Sequence, residues 1–140
     1  MSGRCFLDTN VFAYCFDPRD LRKRTRANEL VRTGLEKRSA VISYQVVQEF
    51  INVALRRFEP RMTLAEIRQY ATGVLRPLLA VNSSMALTHR ALDIAERYRF
   101  SWYDSSHVAA AAQAQCEVFY SEDLQHGQRI EGLQIVNPFL

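Results

Sequence analysis

Cys5-Phe6-Leu7-Asp8-Thr9-Asn10 reads as a short buried strand that stops at an acid: three apolar residues, then a polar cluster. Further β-like runs follow at Ala40–Tyr44, Leu78–Val81, Val118–Ser121 and Leu133–Val136, the last expected as an edge strand. Helical patterns separate them. Val11–Phe16 makes a short helix, and Asp17-Pro18 is a good start for a longer one, with Asp as cap and Pro in the first turn. That helix, running to about Arg38, is expected to bury Leu21, Ala27, Leu30, Val31 and Leu35 and to turn Arg22, Lys23, Arg26 and Arg32 outward. Gln45–Phe58 carries Val46, Val47, Phe50, Ile51, Ala54, Leu55 and Phe58 at helical spacing. Thr63-Leu64-Ala65-Glu66 is a capping box, and Pro77 should end or kink the helix it opens. Ser84–Tyr98 and the Ala-rich Asp104–Cys116 complete the set. Strands alternating with helices specify an α/β fold with a mainly parallel sheet covered on both faces. Functional sites in such sheets lie at the carboxyl ends of the strands. Asp8 and Asp123 fall just past two of those ends, and Glu49 sits one turn into the helix after a third.

The 140 residues, 48% of them hydrophobic, suit one domain spanning residues 1–140 with a filled core. No apolar run approaches the roughly 20 residues that cross a bilayer, and Asp8 interrupts the early apolar segment where a signal peptide would lie. The expected location is the cytoplasm, with no membrane partner. Cys5, Cys15 and Cys116 are odd in number and lack CxxC spacing, which reads as buried thiols in a reducing compartment. Of the 18 basic residues only Lys23 and Lys37 are Lys. Residues 1–61 hold 12 basic and 7 acidic side chains, whereas residues 62–140 hold 6 and 8. Arg makes bidentate contacts with phosphate and stacks on bases, so Arg22, Lys23 and Arg26 are candidate RNA contacts; a solvated helix face is the plainer alternative.

Each candidate acid also has an ordinary structural role. Asp8 suits an Asx-turn or helix cap, Glu49 a boundary position paired with Arg56 or Arg57, Asp104 a helix N-cap, and Asp123 a loop. Glu122 is an alternative to Asp123. Together the four carry more weight. Massed carboxylates repel one another and require a counter-charge, and no Lys lies beyond residue 37 to supply it. A hard divalent cation such as Mg²⁺ or Mn²⁺ prefers such oxygen ligands and can activate water toward a phosphate.

Other chemistries fit less well. Thr9 and Ser43 lack a GxSxG elbow, and His89, His107 and His126 lack zinc-hydrolase spacing. His107, three residues after Asp104, is expected at the surface or just behind the site. A haloacid-dehalogenase-like phosphatase would use a strand-end Asp, but it needs a second Asp where Asn10 stands and a downstream Lys. A catalytically silent RNA- or protein-binding module on the same fold is the non-enzyme reading.

Phe6-Leu7-Asp8-Thr9-Asn10, Gln48-Glu49-Phe50, Trp102-Tyr103-Asp104 and Ser121-Glu122-Asp123-Leu124, in that order, resemble the PIN-domain ribonucleases across nearly the whole chain, and within them the VapC-type toxins. The resemblance implies a three-layer α/β/α sandwich and endonucleolytic, Mg²⁺- or Mn²⁺-dependent cleavage of RNA that leaves a 5′-phosphate. It also implies a homodimer and a cognate antitoxin. Carried over by position, Asp8, Glu49 and Asp104 would be the main metal ligands and Asp123 the fourth acid. Thr9, Asn10 and Ser121 would be polar support. Ser106-His107 departs from the apolar residues usual after the third acid, which puts the packing or substrate contacts of that turn in question, not the acids.

Overall fold

The computed structural model describes residues 3–140. Strands β1 (Cys5–Leu7), β2 (Ala40–Ser43), β3 (Leu79–Val81), β4 (Val118–Tyr120), β5 (Arg129–Ile130) and β6 (Leu133–Val136) form one sheet in the order β3-β2-β1-β4-β6-β5. All neighbours are parallel except the β5–β6 pair. The helices are α1 (Thr9–Tyr14), α2 (Leu21–Lys37), α3 (Tyr44–Arg56), α4 (Leu64–Tyr70), α5 (Arg76–Leu78), α6 (Met85–Tyr98) and α7 (Trp102–Gln113).

Adjacent residues of β1 point to opposite layers, as the pleat requires. Phe6 faces α7, where its ring lies 6.0 Å from that of His107, and Cys5 faces α2 beside Leu30 and Gly34. Phe6 also stacks on Phe119 of β4 at 5.3 Å. Fully buried Phe6, Leu7, Ile42, Phe119 and Ile135 extend the core through the sheet. The α/β class and parallel sheet expected from the alternation are therefore present.

Several local expectations change. Asp20, not Asp17, caps α2: its side chain accepts the Lys23 amide at 3.0 Å, while Asp17 binds Arg19. The helix thus starts a turn later than Asp17-Pro18 suggested, and Leu21 in its first turn is 69% exposed rather than buried. The capping box at Thr63–Glu66 forms as expected. Pro77 marks the end of the helical run, as expected: α5 stops at Leu78 and β3 follows at once. The chain widens into a π-helical segment at Ala71–Leu75, and Pro77 sits in the short α5 beyond it. β6 is not the edge strand, because β5 pairs outside it through a two-residue hairpin at Glu131-Gly132. Both turn residues have positive φ, 52° and 80°, the geometry that joins twisted strands tightly.

The approach of α2 to β2 depends on Gly34. A Cβ there would stand 2.4 Å from the Ala40 side chain. Gly34→Ala should gain about 1 kcal/mol in helix propensity but cost roughly 1–3 kcal/mol in overpacking. The expected result is a net loss of stability in urea unfolding, whereas a gain would mean that α2 moves aside freely.

Candidate active site

Asp8 leaves β1 and caps α1 with extended backbone. Its carboxylate accepts the Thr9 amide at 2.7 Å and the Ser121 hydroxyl at 3.1 Å. Burial lifts its carboxyl above the usual range, against the lowering influence of His107. Ser121, just past β4, also accepts the Asp123 amide at 3.1 Å. One hydroxyl thereby links the loops that follow neighbouring strands.

Ser43 caps α3 and sets that helix so that Glu49 reaches the same strand ends. Glu49 Oε1 accepts the Thr9 hydroxyl at 2.6 Å and faces His107 Nε2 at 2.9 Å, while Oε2 accepts from Gln45 at 3.3 Å. Burial alone would raise the Glu49 carboxyl, but His107 and these hydrogen bonds outweigh it and hold it low. Asp104 is not the cap of α7. Ser101 is, accepting the Asp104 amide at 3.2 Å, so Asp104 stands in the first turn. Asp123 accepts from Asn10 at 3.1 Å. Partial burial and the charges of Asp8, Asp104 and Glu122 raise its carboxyl.

Asp8, Glu49, Asp104 and Asp123 all line one cleft of about 590 Å³, with Thr9 and Asn10 among them. Glu122 points elsewhere: Lys23 Nζ lies 3.0 Å from it, and the Tyr14 hydroxyl donates to it. Between the two neighbouring acids, Asp123 is the one in the cleft. The candidate RNA contacts on α2 are also engaged. Arg22 donates to the Phe139 carbonyl at 2.8 Å and Arg26 to that of Pro138 at 3.1 Å, tying the C-terminal residues to the helix.

Two basic residues also line the cleft. Arg57, weighed from the sequence only as an ion-pair partner of Glu49, is the one Lys or Arg lining the cleft among the described residues. His107 is not at the surface: it lines the cleft beneath Glu49, to which it hydrogen-bonds, close to the expected place just behind the site. It is 3% exposed, with Nε2 also 3.7 Å from Asp8 Oδ1. The Asp104-x-x-His107 spacing, which sets both on one helix face, was the available signal. Burial lowers the His107 pKa, but Glu49, Asp8 and Asp104 more than reverse this and raise it.

These shifts fix a pH profile for the metal-free protein. His107 is raised from 6.5, so its contribution is complete below that value and is lost as pH rises through the folded pKa. Asp8 acts in the same direction from 3.8. Glu49 is lowered from 4.5, so its contribution is complete above that value and is lost as pH falls through the folded pKa. Stability should decline as pH climbs above about 6.5, and His107→Leu should flatten that decline. An unchanged slope in urea unfolding would refute this.

Among the described residues, no three His, Cys, Asp or Glu side chains already form a metal cage. The donor chemistry nonetheless suits a hard divalent ion: carboxylates from four chain segments, two of them held by hydroxyl groups. Among the described residues, no helix is long and apolar enough to cross a membrane.

Residues 5–129 match the family model described as PIN domain. No curated protein sequence matches the chain. A toxin–antitoxin complex from Klebsiella pneumoniae has a similar structure, with a TM-score of 0.68, 17% identity, and coverage of 96% of this chain and 98% of the other. VapC20 from Mycobacterium tuberculosis, a sarcin–ricin loop cleaving toxin, aligns with a TM-score of 0.61 and 20% identity over 84% of this chain and 88% of its own. FitAcB from Neisseria gonorrhoeae gives 0.61 and 19% over 96% and 97%.

Proposed function

Because the chain belongs to the PIN domain family, we propose that it is a metal-dependent endoribonuclease, the toxin of a toxin–antitoxin pair. The observation that carries this reading is the gathering of Asp8, Glu49, Asp104 and Asp123 in one cleft at the carboxyl edge of a parallel sheet. Those four carboxylates would hold Mg²⁺ or Mn²⁺. When bound, the ion supplies Lewis acidity toward the scissile phosphate and lowers the pKa of water. The chain's own residues do the rest. Thr9 fixes Glu49, Ser121 fixes Asp8, and Asn10 orients Asp123. Arg57 binds an RNA phosphate at the cleft, in an otherwise acidic lining that would repel one.

The similar toxin–antitoxin complex from Klebsiella pneumoniae supports a toxin reading, and with it a cognate antitoxin; the homodimer rests on the family resemblance alone. An antitoxin Arg would neutralise the same acids that hold the ion. Arg22, Lys23 and Arg26 remain candidates for RNA contact, but phosphate would have to draw them from Phe139, Glu122 and Pro138.

The test is cleavage of single-stranded or loop RNA with Mg²⁺ or Mn²⁺, abolished by chelator; RNA left intact in both metals contradicts the proposal. RNA affinity separates the basic groups. Arg57→Glu should reduce the log–log salt slope by roughly 0.7, one phosphate on a single strand. Reversal of Arg22, Lys23 and Arg26 should change it less. The opposite ranking would move the RNA track to α2.

A further inference from the structure

His107 is the one histidine lining the cleft among the described residues, and the four-carboxylate set does not use it as a ligand. The His107 side chain is 4% exposed and packs against the ring of Phe6 on the inner side of α7. Its Nδ1 is buried without a hydrogen-bond partner. An aliphatic side chain would fill the same space and leave no buried nitrogen unpaired, so packing does not account for an imidazole here. Its polar contacts are with the acids: Nε2 lies 2.9 Å from Glu49 Oε1 and 3.7 Å from Asp8 Oδ1.

We propose that His107 is a nitrogen ligand of the divalent ion and turns the metal preference of the site toward Mn²⁺ over Mg²⁺. This rests on the metal-dependent reading above. The distances agree with it. Two ligands about 2.1 Å from one ion stand roughly 3.0 Å apart at a right angle and about 4.2 Å apart when opposite. The 3.7 Å separation from Asp8 Oδ1 falls within those limits, and the 2.9 Å contact with Glu49 Oε1 is a hydrogen bond just short of the lower one. The side chains do not yet converge on a common point, and the adjustment required is local: Glu49 Oε1 exchanges its hydrogen bond from His107 for a shared ion. Ligation through Nε2 leaves the ring's proton on Nδ1.

Asp104 and His107 leave the same face of α7 three residues apart and both line the cleft, so one rigid helix presents an oxygen and a nitrogen donor together. Mg²⁺ favours oxygen donors and gives up its water reluctantly. First-row transition ions accept imidazole more readily than Mg²⁺ does, with Mn²⁺ at the weak end of a series that rises to Cu²⁺. A carboxylate set without His107 would discriminate less among them.

The test uses the full chain freed of metal and reloaded with Mn²⁺. Pulsed electron paramagnetic resonance should show coupling of the bound Mn²⁺ to a ¹⁴N nucleus, and His107→Leu should abolish it. Calorimetric titration should show Mn²⁺ affinity falling on the order of tenfold or more in that variant, with a much smaller change for Mg²⁺. His107→Gln, which keeps a hydrogen-bond donor toward Glu49 but no imidazole, should behave like His107→Leu. The nitrogen coupling in the parent stands as evidence even where a variant fails to fold. Bound Mn²⁺ without nitrogen coupling, or equal weakening of both ions in the variants, overturns the assignment and leaves His107 as a positioning residue for Glu49. Absence of any ion binding to the parent overturns the metal-dependent reading as well.

Discussion

Asp104→Asn is expected to slow RNA cleavage by more than about a hundredfold while leaving the metal-free protein about as stable as the parent. Loss of a group that merely supports a metal ligand costs about 10- to 100-fold, so loss of a ligand should exceed that. The stability half follows from the local structure. Ser101 caps α7, and no side-chain hydrogen bond of Asp104 is present among the described residues. Removing the charge forfeits an interaction with the helix N-terminus of about 0.3–1 kcal/mol and relieves repulsion from the neighbouring acids. Cleavage kinetics and urea unfolding of the two proteins check both halves. A loss of a kcal/mol or more without metal, at undiminished activity, would make Asp104 a structural residue.

Metal itself should give the second large effect. At a hundredfold over its dissociation constant, Mn²⁺ or Mg²⁺ should stabilise the parent by about 2.7 kcal/mol. For a chain of this size that is a rise in Tm of very roughly 5–10 °C. The rise should shrink in Asp8→Asn and Asp104→Asn. It should persist in Asp17→Asn and Asp20→Asn, whose side chains bind Arg19 and cap α2 away from the acidic cleft. Equal rises in all five proteins would place the ion elsewhere.

Much of this arrangement was legible in the sequence because each clue was local. A buried strand that stops at an acid fixes Asp8, and strong apolar periodicity fixes α3 and so the side from which Glu49 enters. What stayed hidden depends on distant partners. Glu122 and Asp123 are equivalent by sequence; Lys23 and Tyr14, about a hundred positions earlier in the chain, draw Glu122 away. His107 lies on a helix whose alanines are buried on several sides, so its periodicity does not identify an inner face. The β5–β6 hairpin was missed because two residues make a weak strand signal, although Glu131-Gly132 marks the turn.

The central claim is that the four-acid cleft binds a divalent ion and that this ion is required to cut RNA. One titration tests it: Mn²⁺ added to the metal-free chain, with melting temperature and single-turnover RNA cleavage followed in the same samples. The account predicts that both rise with the same midpoint, and that Asp8→Asn weakens both together. Cleavage that persists undiminished in excess chelator, before any Mn²⁺ is added, would contradict it.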